Sequence, residues 1–393
     1  MGKMILSGKG RRWLLKGHPW IYKDDVADGE GTPGDLVPIY APEGEILGWG
    51  LYSAESKIAL RMVTREEEQP NRDFWLGRMR RAISARENLG MMNPEGACRL
   101  ISGDAEGIPG LVVDRYAKTL VLQIGTQAAD RMRDFFVEVL IEALPFEPTA
   151  VLERSDLSVR RFEGLEPRVE LLSGVIDGPI EVREEGGLVY RVDVREGHKT
   201  GAYLDMSSNR VKAAALRPGG RVLDTFAYDG LFGIRAALAG AEEVLCLEQN
   251  AAACERILVN AELSGVADKV KVERVDCMKD LRKRAEANEL WDMIVVDPPA
   301  FARNKREKRG AERGYVELNR RAMLLAVPGG HVVSASCSHA IWASEFLGHL
   351  ASAARVSRRD TMLEAFTGAS PDHPVRLGLP ETDYLKCAFM RVT

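Results

Sequence analysis

The apolar positions of this chain change rhythm twice. Up to about residue 70 they come as short runs, at 36–40, 46–52 and 58–63, separated by turn residues such as Pro42, Glu43 and Gly44. Short strands of this kind bury themselves most simply in a small closed β-barrel. The charged stretch 65–72, with Pro70 and Asn71, reads as a linker. From 73 to 185 the pattern is mixed: helical spacing at 74–89 and 128–144, strand-like runs at 111–113, 120–124 and 150–153, an α+β arrangement. From 188 strand and helix alternate regularly to about 355, and an apolar run at 384–392 adds one more strand. That alternation predicts a doubly wound α/β domain with a mostly parallel sheet and an antiparallel edge strand. The expected domains are 1–70, 73–185 and 188–393.

In such a sheet the residues that end the buried strands matter most, because ligands bind outside the carboxyl ends. The strand at 221–224 ends in Asp224 and opens into a loop containing Phe226, Tyr228, Gly230 and Gly233. Phe226 stands where a first glycine would let a pyrophosphate approach the backbone, which disfavours a dinucleotide and hence a dehydrogenase. A nucleoside without phosphates, such as S-adenosylmethionine, needs no such opening. Glu248, after the strand at 244–247, is placed to accept from two ribose hydroxyls. Asp276, beside Cys277 after the strand at 270–275, could accept from an adenine amine.

Two further strand ends carry reactive groups. Asp297 is followed by Pro298 and Pro299, which force an extended exit and hold the acid at the edge. Ala300 rather than an aromatic follows the prolines, and this weighs against methylation of an amino group. Cys337, flanked by Ser336, Ser338 and His339, emerges after an apolar run. A thiolate adding to carbon 6 of a pyrimidine makes carbon 5 able to take a methyl group. Asp297 would protonate or hydrogen-bond ring nitrogen 3 and stabilise that adduct.

Composition sets the surroundings. With 393 residues, 45% of them hydrophobic, the chain can hold two or three real cores. No apolar run approaches membrane-spanning length and the basic start lacks a secretory apolar core, so a cytoplasmic location is expected. The six cysteines are scattered with no CxxC pair, which suggests neither a disulfide framework nor a metal site. A net charge of −4 argues against nucleic-acid binding by the whole surface. The basic residues are clustered, however. Residues 1–23 hold Lys3, Lys9, Arg11, Arg12, Lys16 and Lys23 with no acid, and 303–313 hold Arg303, Lys305, Arg306, Lys308, Arg309 and Arg313 against Glu307 and Glu312. Two such clusters point to a polyanionic partner.

Several motifs, in order along nearly the whole chain, resemble the bacterial large-subunit ribosomal RNA cytosine-5 methyltransferases. They are Gly17-His18-Pro19-Trp20, the stretch 102–110, Glu153-Arg154-Ser155-Asp156, the stretch 197–205, Asp297-Pro298-Pro299, Ser336-Cys337-Ser338 and Asp372-His373-Pro374-Val375. The resemblance implies an N-terminal PUA RNA-binding domain, a Rossmann-like methyltransferase domain and S-adenosylmethionine as donor. It implies Cys337 as nucleophile and Asp297 as its partner. It places Thr200, Gly201, Tyr203, Asp224, Phe226, Tyr228, Gly230, Glu248, Asp276, Cys277 and Asp297 around the cofactor. With the basic clusters, it gives RNA contacts to Lys9, Arg11, Arg12, His18, Trp20, Arg303, Lys305 and Arg306. The implied substrate is large-subunit ribosomal RNA, naked or in a precursor particle. Uracil-5 or tRNA cytosine-5 methylation, or a non-catalytic RNA-binding assembly factor, are the alternatives. Met206-Ser207-Ser208 departs from the family's Gln-Arg continuation, Ala300 replaces a lysine of some members, and no second cysteine accompanies the prolines, so the base for the carbon-5 proton is unassigned.

Overall fold

The computed structural model describes residues 2–216, 219–301 and 307–393. Its contacts divide the chain into two units. The first comprises the residues up to Ile180 together with Val192–Ala202 and Pro371–Thr382, and the second comprises Glu181–Arg191, Tyr203–Ser370 and Asp383–Thr393. The chain expected to form two domains up to 185 therefore clusters as one body, and two short segments of the expected third domain belong to it.

The first unit starts with β1 (Lys3–Leu6), α1 (Gly8–Leu15), β2 (Trp20–Tyr22), β3 (Val26–Glu30), β4 (Leu36–Tyr40), β5 (Ile46–Tyr52) and β6 (Ile58–Thr64). These strands pair in the order β2-β6-β5-β4-β1-β3 around a core of Leu6, Leu14, Ile21, Val37, Ile39 and Leu60. No ladder joins β2 to β3 among the described residues, so the expected closed barrel is an incompletely hydrogen-bonded one. Then follow α2 (Arg72–Asn88), β7 (Ala97–Ser102), β8 (Leu111–Tyr116), β9 (Thr119–Ile124), α3 (Gln127–Arg131), α4 (Arg133–Ala143), β10 (Ala150–Ser155) and β11 (Arg168–Gly174). The second sheet runs β11-β10-β9-β8-β7, and Trp75, Met79 and Ile83 of α2 with Phe136 of α4 share one core with it.

The second unit begins with the ribbon β12 (Ile180–Arg183) and β13 (Val189–Val192). Its main body alternates α5 (Ser207–Leu216), β14 (Arg221–Thr225), α6 (Leu231–Leu238), β15 (Glu243–Glu248), α7 (Ala251–Leu263), β16 (Val270–Arg274), α8 (Cys277–Glu286), β17 (Trp291–Val296), α9 (Lys308–Leu325), β18 (Ala326–Ser336), α10 (Ala343–Ser357), β19 (Thr361–Thr367) and β20 (Lys386–Val392). The sheet order is β16-β15-β14-β17-β18-β20-β19. The five strands from β16 to β18 are parallel. Their apolar runs are buried on both faces, as a parallel sheet covered by helices requires; Leu223, Leu247, Ile294 and Val332 share a core with Tyr315, Leu318, Phe346 and Leu350. The reversed strand β20 is not the edge. It lies between β18 and β19, antiparallel to both. Burial explains the difference: β20 is almost wholly buried, whereas β19 has the half-exposed pattern of an edge strand.

Candidate active site

β14 lies between β15 and β17, so successive crossovers leave it in opposite directions. That is the switch point at which a doubly wound sheet opens a crevice at its carboxyl edge. Register brings Asp224 beside Val295 and Cys246, and Val296 beside Ser334. Asp224, Glu248, Asp297 and Cys337 therefore stand along one edge, each at or just past a strand end.

The loop from β14 to α6 is strained. Phe226 (φ 58°) and Tyr228 (φ 52°) both lie in the left-handed region, where a side chain costs roughly 1–2 kcal/mol each. Phe226 thus takes the backbone conformation for which a glycine is normally used. Neighbours over-determine it: Phe226 N–H donates to Cys277 Sγ at 3.4 Å, Ala227 N–H to Leu247 O at 3.1 Å and Tyr228 N–H to Glu248 Oε2 at 3.0 Å. Strain held this way is a mark of functional loops. Gly230 (φ 73°) begins α6, and a Cβ there would meet Ile257 at 2.7 Å. At Gly233 a Cβ would meet Val244 at 2.7 Å, which is how α6 comes close to the sheet.

Asp224 is 1% exposed and accepts from Gly233 N–H at 2.9 Å. Burial pushes its carboxyl up to about 8, with the charges of Asp297 and Glu248 adding to the effect. Its role is to set the loop from below. Glu248 Oε1 accepts from Gln249 and Asn250 N–H, both at 2.8 Å, and Oε2 accepts from Tyr228 N–H. A carboxylate has about four acceptor positions, so one position on Oε2 is left for an outside donor. The expected pair of ribose hydroxyls reduces to one on this arrangement. Asp276 caps α8, accepting from Lys279 N–H at 3.1 Å, and remains exposed. Cys277, beside Asp276, begins α8. Its thiol is buried, donates to Leu247 O at 3.3 Å and is pushed up to about 12 by burial, so it supports the loop from inside the core.

At the other end of the crevice the groups are more open. Asp297 and Cys337 are both half-buried. Cys98, Cys246, Cys277 and Cys387 are fully buried and Cys254 partly so, and burial raises all five thiols. Tyr203 meets Tyr228 edge-on at 5.1 Å. Burial raises Tyr203, with further contributions from Tyr228, Asp297 and Cys337. Tyr315 of α9 brackets the cysteine, its hydroxyl 2.7 Å from Ser336 Oγ and 2.9 Å from Ser338 Oγ. Burial raises it too, with Cys337 and Asp297 adding. Both tyrosines therefore feel the same thiol and the same carboxyl.

Sequence reasoning missed Lys386. It is 4% exposed, and its ammonium donates to Ser338 O at 2.9 Å and Tyr384 O at 2.7 Å. Burial pushes it down to about 8, and Cys337, Asp383 and Glu345 oppose that shift. A lysine directly before the apolar stretch 387–390 is an anomaly, since lysine is almost never fully buried without a partner. That anomaly is the signal that could have found it. Tyr384 contributes a further clamp, donating to Asp205 Oδ2 at 2.6 Å and stacking on His339 at 5.2 Å.

Thr200 and Gly201 belong to the first unit. Thr200 is fully buried, its hydroxyl donating to Asp114 at 2.6 Å and lying 2.8 Å from Tyr116 OH. Arg99 holds the same Asp114 at 2.8 Å. Thr200 thus anchors its turn through that hydroxyl. Gly201 (φ 140°) is required, because a Cβ would meet Val192 at 2.4 Å. The motif residue Arg154 clamps this turn through Val194 O at 2.6 Å and Gly197 O at 3.1 Å.

The expected RNA contacts are mostly occupied within the first unit. Lys9 pairs with Asp25 at 2.8 Å and Arg11 with Glu45 at 3.2 Å; Arg12 is exposed. His18 is buried, accepts from Trp20 N–H at 3.1 Å and lies 3.4 Å from Glu381. Trp20 Nε1–H donates to Asp104 at 2.6 Å. Trp20 therefore links the sheet region to the Gly103–Glu106 turn, and His18 links it to Glu381. Arg303, Lys305 and Arg306 lie outside the described residues. Among the described residues no group of three or more His, Cys, Asp or Glu could hold a metal ion.

Residues 4–65 match the PUA-like domain family, and residues 155–373 match the S-adenosylmethionine-dependent methyltransferase family. The chain is 37% identical, over all of both chains, to ribosomal RNA large subunit methyltransferase I of Aeromonas hydrophila subsp. hydrophila. It is 38% identical to the protein of that name from Shewanella denitrificans, over 97% of each. Among solved structures, SMU.776, assigned as a methyltransferase and complexed with SAH, superposes over all of both chains with a TM-score of 0.86 at 18% identity, which is a likeness of fold.

Proposed function

Because the chain belongs to the S-adenosylmethionine-dependent methyltransferase family, we propose that it transfers a methyl group to carbon 5 of a cytosine in large-subunit ribosomal RNA through an adduct with Cys337. One observation carries this reading. A half-buried thiol and a half-buried carboxyl end the adjacent parallel strands β18 and β17, and both act on Tyr203 and Tyr315.

The crevice fits the cofactor: Glu248 keeps one acceptor position, and the strained loop presents Phe226 and Tyr228 at the edge. Tyr203, Phe226, Tyr228, Glu248 and Asp276 would hold it, with Asp224, Gly230 and Cys277 fixing the backbone. When bound, S-adenosylmethionine supplies an electrophilic methyl group. Cys337, as thiolate, forms a bond to carbon 6 of the base, and protonated Asp297 gives its proton to nitrogen 3 as charge develops there. After carbon 5 is methylated, its proton passes to a base that the sequence leaves unassigned, the sulfur–carbon bond breaks to return the thiolate, and nitrogen 3 gives its proton back to Asp297. Lys386, whose charge interacts with Cys337, would serve as its counter-charge in the reaction, since a cation near a cysteine favours the thiolate.

The proposed substrate puts the protein in the cytoplasm. Among the described residues no helix is long and apolar enough to cross a membrane. Bisulfite mapping of ribosomal RNA from a strain lacking this gene tests the reading. Loss of one 5-methylcytosine from large-subunit RNA is expected. A missing 5-methyluridine would reassign the base, a change confined to tRNA would reassign the substrate, and an unchanged map would leave an assembly factor.

A further inference from the structure

The turn that leads from β18 into α10 is anchored from several sides. Ser338 is fully buried, and its hydroxyl lies 2.9 Å from Tyr315 OH. Its carbonyl accepts from Lys386 Nζ at 2.9 Å and from Ile341 N–H at 3.1 Å. Ile341 packs into the core of the sheet. Trp342 N–H donates to Glu345 Oε2 at 2.8 Å, and both oxygens of Glu345 accept from Lys308 Nζ of α9 at 2.9 Å. With Ser338 and Ile341 turned inward, His339 and Trp342 are the exposed members of this turn.

All six tryptophans are among the described residues, and Trp342 alone is exposed, at 56%. Single exposed apolar residues are ordinary on a protein surface. This one differs in place and in stiffness, because it follows the half-buried Cys337 on a turn whose backbone is held at both ends. A large flat ring kept in water there offers its face for stacking. His339 stacks on Tyr384 at 5.2 Å, and Tyr384 is in turn clamped to Asp205, so the same turn carries a second fixed ring. The start of α9 adds positive charge. Arg309 and Arg313 stand at i and i+4, hence on one helix face. Both are exposed, and neither forms a salt bridge among the described residues. They belong to the second basic cluster, and the adjacent Lys308 ties that helix to the Glu345 that holds Trp342.

We propose that Trp342 is the stacking platform for a base flanking the target cytosine, with Arg309 and Arg313 holding phosphates of the same strand. The proposal rests on the reading that Cys337 attacks a cytosine in RNA. A base that must reach a thiol has to leave its stack, and the base beside it then loses a neighbour. An aromatic side chain replaces that lost contact, as in the recognition of single-stranded RNA generally. Every base has a flat face, so Trp342 fixes the position of the strand more than it reads its sequence. Guanidinium forks match phosphate oxygens two at a time and orient the backbone without reading bases either.

Fluorescence anisotropy of the full chain with two labelled single-stranded RNAs tests this. One carries a single cytosine among adenines, and in the other all the adenines are replaced by abasic residues. Wild-type protein should prefer the first. Trp342→Ala should weaken binding of the first by about 5–150-fold, the usual worth of one stacked base, and bind the abasic strand as wild type does. Trp342→Phe should keep part of the preference. S-adenosylmethionine affinity and melting temperature should stay unchanged in Trp342→Ala, whose side chain is exposed. Arg309→Gln combined with Arg313→Gln should weaken both RNAs alike and lower the slope of log affinity against log salt by about 0.7 for each phosphate no longer neutralised. If Trp342→Ala keeps the wild-type preference, the proposal is overturned while the RNA reading stands. Equal weakening for both RNAs with a lowered melting temperature makes Trp342 a structural residue and overturns it too. An unchanged salt slope in the double arginine variant overturns the phosphate contacts. A wild-type chain with no affinity for either RNA overturns the RNA reading and the stacking platform together.

Discussion

Two regions of this molecule treat their charged and reactive side chains in opposite ways. In the N-terminal segment, Lys9 and Arg11 are neutralised by Asp25 and Glu45, His18 is buried, and Trp20 donates to Asp104. At the carboxyl edge of the seven-stranded sheet, Cys337 and Asp297 stay half-buried and Glu248 keeps an acceptor position. Burial raises all five other cysteines. The lesson is that a basic run is a surface whose partners can come from anywhere in the fold. A strand end in a parallel sheet is a defined place with a defined exposure.

That contrast collapses if the strand-end groups prove dispensable. Asp297→Asn should lower methylation by about 10²–10⁴-fold, the usual contribution of a positioned proton donor. Cofactor affinity measured by calorimetry should stay near the wild-type value. A variant with wild-type turnover would remove Asp297 from the reaction.

Lys386 separates Cys337 from the buried thiols. Removing a cation near a cysteine removes stabilisation of the thiolate, so the thiol pKa must rise. Lys386→Met should move the pH midpoint of Cys337 alkylation, followed by peptide mass spectrometry, upward by about 1–3 units. Lys386→Arg should restore part of the shift. Asp383 and Glu345 also face the lysine, and their neutralisation should move the midpoint slightly downward. An unmoved midpoint in Lys386→Met would make the lysine merely structural.

Glu248→Ala should weaken S-adenosylmethionine binding by about 1–3 kcal/mol, because Tyr228, Gln249 and Asn250 N–H lose their acceptor as well as the ligand losing its own. Unchanged calorimetric affinity would take Glu248 out of the cofactor site. The smallest effect belongs to the N-terminal region. Lys9→Gln removes an ion pair whose lysine is exposed and should change stability to denaturant by less than about 1 kcal/mol. A larger loss would mean that the segment's pairs are structural to a degree their exposure does not suggest.

What is legible in the sequence divides along the same line. Strand ends can be read because an apolar run stops at a polar residue, and Asp224, Glu248, Asp297 and Cys337 all stand where such runs stop. Edge order is not legible, since β19 is half-exposed and lies outside the regular alternation, and only pairing shows that β20 is inserted beside it. Charge partners are equally hidden. Asp25 and Glu45 lie on other elements than Lys9 and Arg11, and Thr200 meets Asp114 across 86 positions of sequence. Cys277 shows the limit at close range: it follows a strand end as Cys337 does, but begins α8 with its side chain turned into the core.

Covalent capture tests the central claim most directly. Target RNA carrying 5-fluorocytosine replaces the carbon-5 proton that must leave with fluorine, so the sulfur–carbon bond cannot be released. With S-adenosylmethionine present, wild-type protein should give a denaturation-resistant protein–RNA species. Cys246→Ala and Cys277→Ala should still form it, and Cys337→Ala should not. A trapped species in Cys337→Ala, or full methylation of ordinary RNA by that variant, would contradict the account.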